Sequence, residues 1–180
     1  MSATKPLKSR ASLKKVTLSL PFSLGTAEWS GDESERAAAW ALYVELSTRV
    51  STQPLGPKEG LLREALSSLY ALFPTTREIL KAAGPNVGLR EASVGRLAIE
   101  VLNQGLRPFL ARWHPELASW ESTRREGVSP KEHEDSWLLA PELRSELATL
   151  RSQLSQYADT LRAMIGMKGA GPAPRTGDAA

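Results

Sequence analysis

The sequence predicts an all-α protein, a four-helix bundle with kinked helices, and three observations carry that expectation. Apolar residues recur at helical steps of three and four over long stretches, most regularly at Leu143, Leu147, Leu150, Leu154, Tyr157, Leu161 and Met164. Start and stop residues punctuate these stretches: Ser93 and Ser129 before apolar runs, Gly84 after one. Only one segment alternates with the two-residue period of a strand.

That segment sets the N-terminal organisation. Residues 1–12 read as a disordered basic arm, rich in Ser and Lys. Residues 13–25 read as an extended, strand-like segment in which Val16, Leu18, Leu20, Phe22 and Leu24 alternate with Thr17, Ser19, Pro21 and Ser23. Pro21 lacks an N–H, which places the strand at an edge. No second strand of this quality follows, so three uses are open for it. It packs on its own helices, pairs with its copy in a dimer, or adds to a partner's sheet.

A helical domain is expected over 26–165. Ser30 and Glu33 stand at capping-box spacing before a first helix running to about Ser51, with Ala37, Trp40, Ala41, Val44 and Leu46–Val50 as its apolar face. The second helix spans about Lys58–Phe73; Pro74 interrupts it, and a shorter segment ends at Gly84. Ser93 caps a third helix over Val94–Glu121, which carries Gly105, Pro108 and Pro115 and is expected to be the least exposed helix of the bundle. Ser129, Pro130 and Glu132 start the fourth, with Pro141 interrupting its early part. Its seam either packs into the bundle or is left open for another chain. Residues 166–180 read as a disordered tail rich in Gly, Pro and Ala.

Composition narrows the function. The 180 residues contain no cysteine, which excludes disulfides, thiolate metal sites and cysteine nucleophiles, and only two histidines, His114 and His133. No apolar run approaches the roughly 20 residues that span a bilayer, and no secretory signal is apparent, so a cytoplasmic location without membrane insertion is expected. Lys5, Lys8, Arg10, Lys14 and Lys15 all precede the first acidic residue, Glu28. The arm therefore carries the positive excess of a chain whose net charge is +3. Such an arm can touch nucleic acid or an acidic partner, though it lacks the interleaved aromatics of a stacking platform.

Asn103 and Arg107 stand one helical turn apart and could hold a phosphate or carboxylate; the competing use is a buried Glu100–Arg107 contact or an Asn103–backbone contact that locks the helix beside Pro108. Arg112 and His114 extend this set as candidate ligand-binding residues. His114 before Pro115, near Glu116 and Glu121, has no nucleophile or metal partner in the local sequence and reads as a structural junction. His133 among Glu132, Glu134 and Asp135 reads as a charged first helical turn. No phosphate loop, no Gly-x-Ser-x-Gly, no His-Glu-x-x-His and no Glu-x-x-His pair is present. No catalytic residue, metal or cofactor is expected. Five tryptophans, Trp29, Trp40, Trp113, Trp120 and Trp137, build core, with one or two left to anchor an interface.

Three phrases, LYALFPTTREIL at 69–80, VLNQGLRPFLARWHPEL at 101–117 and WALYVELSTRV at 40–50, resemble a group of uncharacterised bacterial proteins of actinobacterial type with an LNxxLRPFLxxWHP segment. The resemblance covers about residues 16–165. It implies no assigned activity and no site residues; proteins of this sort are sometimes small members of multi-gene systems, including antiviral defence systems.

The leading expectation is a non-enzymatic helical interaction module, a subunit or adaptor of a larger bacterial multi-protein system, or a homo-oligomer, with Val16–Leu24 as the first candidate contact. The alternatives are a small-ligand or nucleotide-binding regulatory domain, through Asn103, Arg107, Arg112 and His114, and nucleic-acid contact through the basic arm.

Overall fold

The structure is a computed structural model that describes residues 15–49, 52, 56 and 59–167. The fold is mostly helical, with one small antiparallel sheet of two strands, β1 (Val16–Ser19) and β2 (Thr26–Trp29). The expected disordered arm at 1–12 and most of the expected C-terminal tail lie outside the described residues, as do Lys5, Lys8, Arg10 and Lys14.

The expected single strand over 16–24 is instead half of a hairpin. The chain reverses at Pro21–Leu24, where Leu24 N–H donates to the Pro21 carbonyl at 3.2 Å and Leu20 N–H to the Gly25 carbonyl at 2.8 Å. Phe22 and Ser23 hold φ of 55° and 58°, which puts both central turn residues in the left-handed region. That is the turn whose twist matches two paired strands, but for residues with a Cβ it costs roughly 1–2 kcal/mol each. The compensation is tertiary. Phe22 N–H donates to Gln153 Oε1 at 2.7 Å, and its ring rests against Gly105, where a Cβ would lie 2.5 Å from ring carbons. The register Val16↔Trp29, Leu18↔Ala27 sends Leu18 and Trp29 into the core, 2% and 1% exposed.

Helix α1 (Glu33–Thr48) is capped by Asp32, whose side chain accepts from Glu35 N–H at 3.1 Å, two residues later than the expected Ser30 cap. Its buried face is Ala38, Ala39, Leu42 and Leu46. Of the expected face Leu46 is buried, but Trp40 is 51% and Val44 37% exposed, so the rest of that face is out of phase with the core. The alanine-rich helix offers two apolar stripes, and the small one packs.

Helices α2 (Leu62–Tyr70) and α3 (Leu72–Ala83) meet at Ala71. Pro74 does not interrupt the chain. It is the third residue of α3, where backbone N–H groups have no intrahelical partner, so a proline is tolerated. Gly84, at φ 82°, ends α3 as expected. A 3-10 turn (Pro85–Gly88) leads to α4 (Val94–Glu100), capped by the Ser93 side chain.

From Val94 to Glu121 the chain is one helical rod with a widened π segment at Val101–Leu106, continuing as α5 (Arg107–Glu121). Arg107 N–H donates to Leu102, five residues back. A proline ring clashes with the carbonyl four residues before it, and a widened turn ahead of Pro108 relieves that clash. The rod is not uniformly sealed. Val94, Leu97, Ala98, Val101, Leu102 and Leu106 are buried, whereas α5 buries only Leu110, Trp113 and Leu117. The expectation that this is the least exposed helix holds for its first half alone.

Helix α6 (Pro130–Asp135) starts with a complete Ser129–Glu132 capping box. The long helix α7 (Ala140–Met164) begins with Pro141 in its first turn, so this proline starts a helix instead of interrupting one. Leu143, Leu147, Leu150, Leu154, Tyr157, Leu161 and Met164 are all buried. The heptad-like seam is used up inside the fold, and an open seam for a second chain is ruled out. The second and fourth expected helices thus divide into two segments each, α2 with α3 and α6 with α7, whereas the third stays one rod.

The Gly105 seat yields a direct test. Gly105→Ala places a methyl group inside the Phe22 ring and should lower unfolding free energy by about 1–3 kcal/mol in urea titration. Combined with Phe22→Ala, it should cost much less than the two single changes added together.

Candidate functional site

Four carboxylates organise the polar interior, and each reaches away from its own helix. Glu134, 5% exposed, accepts from Leu62 N–H at 2.7 Å and from Arg144 at 2.7 Å. It caps α2 from α6 while holding α7. Leu61 at the N-cap of α2 has no side chain able to do this. Glu35, 1% exposed, accepts from Val94 N–H at 3.4 Å, at the first residue of α4. Burial raises the Glu35 carboxyl above the usual carboxylate range, partly opposed by that N–H and by Arg90. Its second oxygen and the Trp29 indole N–H, both buried, have no partner in hydrogen-bond geometry. Helix N-termini favour negative charge, so both contacts use the same physics.

Glu146 accepts from the Trp113 indole at 2.8 Å and pairs with Arg112. Glu121 forms a forked pair with Arg63, at 2.6 to 3.0 Å. Arg63 also meets His114 Nδ1 at 3.1 Å. Arginine has no lone pair to offer, so His114 Nδ1 is the acceptor and its proton sits on Nε2. The Tyr70 ring stands edge-on to the imidazole, at 90° and 5.8 Å. Burial, then the Arg63 charge, push the His114 pKa below its ordinary value, with Glu121 opposing.

The four candidate ligand residues do not converge. Arg107 donates twice to Asn103 Oδ1, at 3.0 and 3.1 Å, and lies 5.5 Å from the Phe73 ring centre. That is a local contact on an exposed surface, and Arg107 bonds Asn103, with no bond to Glu100. Arg112 turns toward α7, where Glu142 and Glu146 bind it over the Trp113 ring. His114 belongs to the Arg63–Glu121 group on the α2 side. His133 stacks on Trp120 at 4.5 Å and 7°, and its neighbour Glu134 is the cap described above. Among the described residues no group of three or more His, Asp or Glu side chains is placed to hold a metal ion.

Of the arm residues, Leu18 is sealed, and Val16, Leu20, Phe22 and Leu24 pack half-buried against the core. Lys15 lies 3.4 Å from Glu28, and both are exposed. Besides a cleft of about 330 Å³ between β1 and α7, two solvent-open cavities border the described residues. One of about 470 Å³ lies beside β2, between it and the 90–93 loop, with Leu97 and Met164 below. The other, about 370 Å³, lies between α2, α5 and α6 and includes Arg63, Trp120, Glu121 and His133.

Sequence reasoning missed Glu35 and Glu134. Glu35 stands at the third position of α1, where a capping box would turn it back on its own helix, and nothing local announces that it crosses to α4. Glu134 sits in a cluster of exposed acids and differs from them only in what packs over it. No helix among the described residues is long and apolar enough to cross a membrane. No protein-family model, no curated protein and no solved structure matches this chain.

The His114 environment gives a sign for pH dependence. A histidine with a lowered folded pKa contributes stability above its unfolded value, and that contribution is lost as pH falls. Unfolding free energy should therefore drop on acidification from about pH 6.5 to pH 5. His114→Gln should flatten that drop when chemical denaturation is repeated across the range; an unchanged slope would show that His114 is not linked to folding. Glu134→Ala should cost about 2–4 kcal/mol in the same assay at neutral pH, since it strands the Leu62 N–H and Arg144.

Proposed function

We propose that this chain is a non-enzymatic helical interaction module, a bundle of four main helical rods that serves as subunit or adaptor of a larger bacterial multi-protein assembly. The observation that carries this reading is the solvent face of α1. Trp40, half exposed, lies in line with Ala37, Ala41 and Val44 at helical spacing, with Ala37 and Val44 also exposed. A tryptophan on the surface of a helix that has already buried another face does not serve the core. Tryptophan is the residue most enriched where partners bind tightly.

The alternatives have less support. A nucleotide-binding regulator through Asn103, Arg107, Arg112 and His114 asks for four residues that lie in three separate surroundings. Nucleic-acid contact through the basic arm depends on Lys5, Lys8, Arg10 and Lys14, together with Lys15, which pairs with Glu28. Membership of a defence-related system and a cytoplasmic setting remain part of the proposal, resting on the family resemblance and on composition.

The test is affinity capture of the native complex with Trp40→Ala and Val44→Glu in the full chain. Both positions are exposed, so unfolding free energy should change by no more than about 0.5 kcal/mol, while recovery of the partner should fall by on the order of tenfold. Undiminished capture by the double variant would remove α1 as the contact and with it the support for this reading.

A further inference from the structure

The hairpin has one edge beside α7 and one beside the 90–93 loop. Leu20 N–H bonds the Gly25 carbonyl, and hydrogen-bonded pairs alternate along an antiparallel ladder. With the observed register, Leu18–Ala27 and Val16–Trp29 are therefore the bonded pairs. Thr17 and Ser19 on β1, and Thr26 and Glu28 on β2, point their backbone groups away from the ladder. On the β1 side the Ser19 carbonyl is taken by the Thr160 hydroxyl at 2.8 Å, and α7 flanks that edge across a cleft of about 330 Å³. On the β2 side the next outward carbonyl, Ser30, is taken by the Arg90 guanidinium. Between these lie the N–H and C=O of Thr26 and Glu28, four groups with no partner among the described residues and both side chains exposed.

This open edge runs beside the cavity of about 470 Å³. The floor of the cavity is apolar, with Leu20, Leu97 and Met164. Its walls carry Glu28, Glu91 and Glu100 against Arg90, whose guanidinium is already held at Ser30, and Lys15, which meets Glu28 from an exposed position beside β1. Unguarded edges are normally blunted by lysine, proline or a covering element. Here neither proline nor lysine stands within β2, the nearest lysine being Lys15 against Glu28, and among the described residues no helix covers the edge.

We infer that the β2 edge is a docking site for an extended, basic segment of a partner protein, which adds to the hairpin as a third strand. Backbone bonds to Thr26 and Glu28 supply the sequence-independent part of recognition. Successive side chains of a strand point to opposite faces. Every second residue of the added segment drops onto Leu20, Leu97 and Met164, and the intervening lysines or arginines meet Glu28, Glu91 and Glu100. The four residues of β2 span about 13 Å, so some four residues of the partner are gripped. This deepens the interaction-module reading but uses a different surface from α1.

The test uses the isotope-labelled full chain and a synthetic octapeptide of alternating lysine and valine, followed by amide chemical shifts and hydrogen exchange. The Thr26 and Glu28 amides should shift on titration and slow their exchange by at least about tenfold. Glu28→Pro removes an outward N–H and leaves the ladder to β1 intact; it should weaken binding by on the order of tenfold, as the loss of one good hydrogen bond does. If that variant does not fold, Glu91→Lys with Glu100→Lys, which lie off the strand, should weaken binding to a similar degree. A glutamate–valine octapeptide should bind at least about tenfold more weakly than the lysine one.

Equal binding by Glu28→Pro, or equal binding of the acidic peptide, overturns the inference. So does strong protection of Thr26 and Glu28 in the free chain, since the edge is then already covered. Protection that depends on protein concentration would identify a second copy as the cover, and protection that does not would identify residues 1–14. Loss of partner capture by the α1 variants together with no peptide binding would sink this inference and leave the interaction-module reading standing. Peptide binding with unaffected capture would do the reverse for α1.

Discussion

The contact on which most of the arrangement turns is the Phe22 ring seated on Gly105. It joins two local features that are each unfavourable alone. One is a hairpin turn with left-handed backbone at a phenylalanine and a serine. The other is a widened helical turn ahead of a proline. The glycine has no side chain to obstruct the ring, and the same ring gives the strained turn apolar burial. Gln153 completes the clamp from α7. With the tip held there, the register of four residue pairs follows, and Leu18 and Trp29 face inward. The hairpin is thus part of the core, built from a segment that looks like a loose arm when read alone.

A second theme is the use of carboxylates as long-range caps. Glu134 and Glu35 supply helix N-termini that have weak or no caps of their own, at Leu62 and Val94. A buried carboxylate is unfavourable unless its oxygens are met. Glu134 meets both conditions through Leu62 and Arg144. Glu35 has one oxygen met by the Val94 N–H, and its burial raises its pKa. These contacts position segments that propensity alone would not place: α4 is the start of the Val94–Glu121 rod, and α6 has only six residues. Isolated helices of that length are marginal in water, so their order comes from such ties and from packing.

The surfaces left over are of two kinds. The α1 face is apolar and convex, suited to side-chain packing. The β2 edge is polar and set beside an acid-walled groove, suited to backbone pairing. Both lie outside the polar groups that brace the interior. Arg63, His114 and Glu121 resemble a catalytic set by residue type, yet Arg63 is committed twice and the histidine lone pair is spent on it. The His114 Nε2–H is buried without a hydrogen-bond partner, so the set holds α2 to α5 and leaves no lone pair on the imidazole to act as a base.

By itself the sequence determined where helices start and stop whenever the signal is local. Ser93, the Ser129–Glu132 box and Gly84 act within one turn, and each is where it was expected. It also determined the α7 seam, because seven apolar residues at alternating steps leave only one face to bury. Tertiary structure decided everything that depended on a distant partner. Trp40 and Ala38 lie on different faces of one alanine-rich helix, and only the neighbouring α3 and α7 choose between them. Pro74 and Pro141 read as breaks until the helix boundary falls just before them. β2 is four residues long with two inward side chains, too short a pattern to announce itself, and its pairing exists because Phe22 has a glycine to rest on. The binding surfaces fall in this second class: exposure is a property of what the rest of the chain leaves uncovered, and no window of sequence contains it.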